Sequence, residues 1–89
     1  MMLNKKVEYL TIKSMRGKIS TYLLEQYRRE GDVNITLPLN RNELSDFLNV
    51  SRPSMSREMS KMKDEGIIDF HLTAVKIRNI EGLKHMSAL

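Results

Sequence analysis

The sequence predicts a mainly α fold with a small β-sheet: a three-helix core plus a β-hairpin wing. Three observations lead there. Apolar residues recur at helical spacing from Leu3 to Arg29. Two short capped segments, Asn40–Asn49 and Ser51–Glu65, then follow across a tight turn. Two strand-like runs, Ile67–Phe70 and Val75–Ile80, come last. Helix, short helix, turn, short helix and hairpin, in that order, make a winged helix-turn-helix.

The first segment places Val7, Leu10, Met15, Ile19, Leu23 and Tyr27 at helical steps. The β-branched, polar run Thr11-Ile12-Lys13-Ser14 predicts a hinge that divides it into two pieces. Gly17 is its weak point, and Gly31 supplies a left-handed C-cap. Alternating Val33, Ile35, Leu37 and Leu39 predict a short strand, which Pro38 confines to a sheet edge or ends. Asn40 and Glu43 have capping-box spacing, and Leu39 and Leu44 have that of a hydrophobic staple. Leu44, Phe47 and Leu48 form one apolar face, and Asn49 tolerates the left-handed end. Val50 lies in the turn, Ser51 caps the next helix, and Pro53 sits in its first turn. Gly66 ends that helix, His71-Leu72-Thr73-Ala74 turns the hairpin, and Glu81–Met86 forms a last short helix.

Composition narrows the function. A chain of 89 residues fits one domain and leaves too little for a deep catalytic cavity plus a second module. There is no cysteine, which excludes disulfide scaffolds, Cys-ligated zinc and iron–sulfur clusters and suits the cytoplasm. His71 and His85 lack metal-ligand spacing to a second ligand, and Gly17, Gly31, Gly66 and Gly82 are too scattered for a phosphate loop. An enzyme is therefore not expected, nor any cofactor or metal. No apolar run is long enough for a membrane span. The net charge of +4 favours a polyanionic partner, but only its placement can decide.

Placement is read from a wheel of Arg52–Asp64 at about 100° per residue. Met55, Met59 and Met62 fall on one side, as a core stripe. Pro53, Ser56, Arg57 and Ser60 fall on the other, flanked by Arg52, Lys63 and Lys61. Such a face suits the DNA major groove, where Arg57 could pair bidentately with guanine and small Ser56 would permit close approach. Ser51 and Ser54, with the free N–H groups of the helix start, suit a phosphate, as do Asn40 and Arg41. An exposed helix is commonly charged and polar without binding DNA, so the wheel leaves both readings open.

The run LNRNELSDFLNVSRPSMSREMSKMKDEGII, Leu39 to Ile68, resembles the DNA-binding domain of the Crp–Fnr superfamily of bacterial transcription regulators. The resemblance implies base-reading roles for Arg52, Ser56 and Arg57. It implies phosphate contacts at Asn40, Arg41, Ser51, Ser54 and His71, to which Ser60 and Thr73 are added from the exposed helix face and the hairpin turn. Many members carry glutamate where Pro53 stands. Proline cannot accept a hydrogen bond from cytosine N4, so Pro53 is expected to contact a base, such as a thymine methyl, by apolar contact alone. The hairpin turn also lacks the Gly-Lys or Gly-Arg of many members, which weakens the expected grip of the wing on phosphate. Residues 1–12 resemble the tail of the family's dimerisation helix and its hinge, with the winged domain over 13–89. The chain then reads as a fragment of a longer regulator whose sensory domain and effector lie elsewhere. Expected partners are double-stranded DNA, a second copy in the full-length protein and RNA polymerase. The competing reading is a winged helix that pairs with another protein, for which an apolar or acidic outward face would be the mark. A membrane-surface role for the amphipathic start is disfavoured by its few basic residues.

Overall fold

The computed structural model describes residues 9–87. A 3-10 turn at Tyr9–Thr11 leads into α1 (Met15–Glu30), β1 (Asn34–Thr36), α2 (Arg41–Leu48), α3 (Arg52–Asp64), β2 (Ile68–His71), β3 (Ala74–Ile77) and α4 (Ile80–Met86). The helix expected over Leu3–Leu10 lies, as far as Glu8, outside the described residues.

Local chemistry sets most of these boundaries. The hinge falls where β-branched residues and a capping serine interrupt helical propensity: Ser14 takes extended backbone, and its Oγ accepts from Gly17 N at 2.9 Å. Gly17 leaves room for that cap. A Cβ at that position would lie 2.7 Å from the capping Ser14 Oγ and 3.0 Å from Ile12 Cγ2. Both halves of the Asn40–Glu43 capping box form, at 2.8 and 2.9 Å. Asn49 ends α2 at φ 59°, and Ser51 caps α3 through Ser54 N at 3.3 Å. Pro53 removes an N–H that the first turn of α3 would have left unpaired.

The three strands form one antiparallel sheet in the order β1-β3-β2, so β1 joins the hairpin at its edge. It is shorter than its alternating pattern, because Pro38 cannot donate to the ladder and the chain bends towards Asn40. The hairpin register pairs Ile68 with Ile77 and His71 with Ala74. His71 is thus the last residue of β2 instead of a turn residue, and the turn narrows to Leu72-Thr73. β3 ends at Ile77, before the expected Ile80. Arg78 N and Asn79 N both donate to Ile67 O, and the Asn79 side chain caps α4.

One core joins all layers. Ile19, Leu23 and Leu24 of α1 pack with Leu44 and Leu48 of α2, the methionine stripe of α3, and Ile35, Ile68, Val75 and Ile77 of the sheet. Met55, Met59 and Met62 are fully buried. At about 1.5–3 kcal/mol per buried side chain, this stripe fixes the rotation of α3 and decides which of its residues face outward. A second constraint comes from charge. Arg16 of α1 donates Nε to Glu58 at 2.6 Å and forks Nη1 and Nη2 onto Glu65 at 2.6 and 3.0 Å. Arg16 Nη1 also lies 3.6 Å from Met86 Sδ of α4. Two sides of α3 are thereby tied down, leaving the third free.

Candidate nucleic-acid interface

The free side of α3 carries the residues expected to read bases. Arg52, Pro53 and Arg57 are exposed, and Ser56 is half-buried between them. Ser60 continues this face one turn on and is exposed. Glu58 and Glu65 are turned away and paired with Arg16, and the exposed Asp64 lies at the C-terminal end of α3, away from Arg52 and Pro53. The Glu65 carboxyl is held below the usual glutamate range by the Arg16 hydrogen bonds. This face is neither apolar nor acidic, which argues against a protein-pairing surface of the kind described above.

The two exposed arginines have neutral partners. Arg57 Nη2 donates to Ser54 Oγ at 3.2 Å, one turn back along α3. Arg52 Nη1 donates to Asn42 Oδ1 at 3.2 Å, across the turn between α2 and α3. A guanidinium has five N–H donors, so each keeps most of its donors for a ligand.

The expected phosphate contacts divide into two groups. Asn40 and Ser51 are exposed, and both side chains are committed to caps. They would reach an anion through the adjoining backbone N–H groups of the helix starts. Ser54 is half-buried beside Ser51. His71 is exposed at the end of β2, and half-buried Thr73 lies in the turn, where its carbonyl accepts from Leu37 N at 2.8 Å.

Arg41 differs from a free surface cation. Its guanidinium lies 4.8 Å from the Phe70 ring centroid, and its Nη1 is 3.0 Å from Met59 Sδ. Burial first, and the neighbouring Arg52 charge second, lower its pKa from the usual arginine value. Arg41 therefore joins the start of α2 to α3 and β2, as well as presenting charge beside the interface. Lys63 approaches the same ring at 5.1 Å while pairing with Asp69 at 3.4 Å. The sequence offered no sign of this arrangement, because Arg41, Met59 and Phe70 meet only through tertiary packing. The Asn42–Arg52 contact was hidden for the same reason.

The wing completes the surface. Leu37, Leu39, Asn40, Arg41, Asn42, Arg52, Leu72 and Thr73 line a cleft of about 220 Å³ between the hairpin tip and the starts of α2 and α3. Leu72 at the tip is 76% exposed and has φ 54°. The tip thus presents an apolar residue in a backbone conformation that favours glycine or asparagine.

No helix among the described residues is long and apolar enough to cross a membrane, and none of their His, Asp or Glu residues cluster as a metal site.

Comparison with known proteins gives this geometry a context. A family model described as a Crp-like helix-turn-helix domain matches residues 17–86. A probable transcriptional regulator, flp, of Lacticaseibacillus casei is 27% identical over 82 residues, covering 92% of this chain and 37% of that protein. Among solved structures, FixK2 from Bradyrhizobium japonicum superposes with a TM-score of 0.80 at 27% identity, over 91% of this chain and 42% of that one. A CooA mutant from Carboxydothermus hydrogenoformans has a TM-score of 0.76 at 20% identity, over 85% of this chain and 38% of that one. The chain spans well under half the length of each of these relatives.

Proposed function

The chain belongs to the Crp-like helix-turn-helix domain family, DNA-binding domains of transcription regulators, and we propose that α3 is the helix that enters the major groove. The observation that carries this is the opposition within α3. Met55, Met59 and Met62 are fully buried, while Arg52, Pro53 and Arg57 are exposed at its N-terminal end. Base edges are read by side chains at that end of such a helix.

In this reading Arg57 and Arg52 donate to acceptor-rich base edges, with guanine O6 and N7 the best match. Ser56 lies close enough to the groove floor to donate or accept. Pro53 offers only apolar surface, so the preferred half-site should not depend on cytosine at that position. Asn40, Arg41, Ser51, Ser54, Ser60, His71 and Thr73 surround the reading residues and would set affinity and register on the phosphates. Two copies would occupy a palindromic operator, with half-sites about one helical turn apart. A second copy of the full-length protein, contact with RNA polymerase and a cytoplasmic location belong to the same proposal.

Binding-site selection, with the domain fused to a dimerising helix, tests it. The expected outcome is a two-fold symmetric site with a guanine that Arg57→Ala makes dispensable, at a cost of about 1–3 kcal/mol. If Arg57→Ala weakens every sequence equally, Arg57 is a phosphate contact and the reading code is wrong. Absence of DNA binding even at low salt, together with salt-insensitive binding to a protein, would favour the protein-pairing alternative.

A further inference from the structure

Neither the family pattern nor the expected contact set includes Asn42. We infer that Asn42 is a positioning residue for Arg52, holding that guanidinium ready for the DNA in the unbound domain; the inference rests on the DNA-reading role of α3 proposed above. Four observations carry it. Asn42 Oδ1 accepts from Arg52 Nη1 at 3.2 Å, and the pair bridges the two helices of the motif, ten residues apart in sequence. Both residues are exposed, so the contact contributes little to the core and stands where DNA would arrive. Arg41, which lines the same cleft as Asn42 and Arg52, is fixed in place on Phe70 and Met59. The two like charges are close enough for Arg52 to help lower the Arg41 pKa. The Asn42 hydrogen bond thus favours one direction for a long side chain that would otherwise sample many rotamers, beside a like charge it must avoid.

The chemistry of the partner matters. A carboxylate at position 42 would hold Arg52 more firmly, but it would neutralise a charge that DNA needs and face the phosphates with one of its own. An amide oxygen orients the guanidinium while leaving its charge intact. It engages one of five N–H donors, so a bidentate pair to a base remains available. Ordering Arg52 before binding removes part of the side-chain entropy cost otherwise incurred on the DNA.

The test uses the 89-residue chain fused to a dimerising helix, as in the selection above, a duplex selected from a random library by the unaltered fusion, and a mixed-sequence duplex as competitor. Asn42→Ala should reduce preference for the selected duplex about two- to tenfold, the worth of one surface-assisted hydrogen bond. Affinity for the mixed-sequence duplex, its salt slope and the thermal midpoint should stay unchanged. In the Arg52→Ala background Asn42→Ala should have no further effect on preference. Asn42→Gln, which keeps the acceptor, should recover part of the loss, whereas Asn42→Asp should weaken binding to both duplexes. If Asn42→Ala and Arg52→Ala act additively, or if Asn42→Ala weakens both duplexes alike, Asn42 is an independent DNA contact and the positioning role is overturned. If the unaltered fusion selects no duplex, the DNA-reading role itself fails, and the positioning role falls with it.

Discussion

Arg41→Ala should lower both the stability of the domain and its affinity for any DNA sequence, and the two losses can be measured apart. The stacking of its guanidinium on Phe70 is worth about 0.5–2 kcal/mol, depending on how far it is desolvated. Its Nη1 adds a contact to Met59 Sδ at 3.0 Å. Against this stand the cost of burying a cation and the repulsion from Arg52, both visible in the lowered Arg41 pKa. The net loss is then about 1 kcal/mol, or about 4–8 °C in Tm for a domain of this size. Urea unfolding followed by circular dichroism would read it. On DNA, loss of one phosphate contact should reduce the slope of log K against log salt by about one, for specific and mixed duplexes alike. Arg41→Lys should retain most of the slope but not the stability, because an ammonium lacks the planar stack. Stability equal to the unaltered protein would refute the packing role. An unchanged salt slope would refute the phosphate role.

Other outcomes follow from the local geometry. Gly17→Ala should destabilise the domain by about 1–3 kcal/mol, because the new methyl overpacks the Ser14 cap; thermal unfolding would show it, and a neutral result would mean that the cap gives way freely. Leu72→Asn should raise stability by about 0.5–1 kcal/mol, since asparagine tolerates the φ of 54° better than leucine; no change in the urea midpoint would count against strain at the tip. Acid should weaken the fold. Glu65, through Arg16, and Asp69, through the Phe70 N–H and then Lys63, are held below their usual carboxylate range. Stability from such groups is present above the unfolded values, about 4, and is lost as pH falls through the lower folded values. Arg16→Gln should flatten the Glu65 part of that profile, and an identical profile would show that Arg16 does not depress Glu65.

The sequence made most of the fold legible because its punctuation is local. The Asn40–Glu43 box, the Asn49 end and the Ser51 cap each depend on residues within a turn of one another, and each appears in the structure as its spacing implies. The methionine stripe was equally readable, since helical periodicity alone put three large apolar residues on one face. Strand ends were less so. β1 is cut short by Pro38, and β3 by the two N–H groups that turn to Ile67 O; the second is a tertiary event without a sequence mark. Phe47 shows the same limit. Its spacing groups it with Leu44 and Leu48, but it is 52% exposed and rests edge-on against Tyr9 and Tyr22. Around the interface, exposure of Arg52, Pro53 and Arg57 was readable from the wheel, whereas their partners were not. Asn42, Arg16 and Phe70 reach α3 or its neighbours from other elements, and only the packed fold brings them there.

The double anchoring of α3 has a consequence for how such a domain can diversify. Its position depends on the buried methionines and on Arg16 gripping Glu58 and Glu65. None of these residues lies on the face that carries Arg52, Pro53, Ser56 and Arg57. Substitutions on that outer face should therefore cost little folding energy, as surface changes generally do. A lineage carrying this scaffold could rewrite its vocabulary of operators one letter at a time while the spine of the page stays bound, and Pro53 would stand as one such rewritten letter.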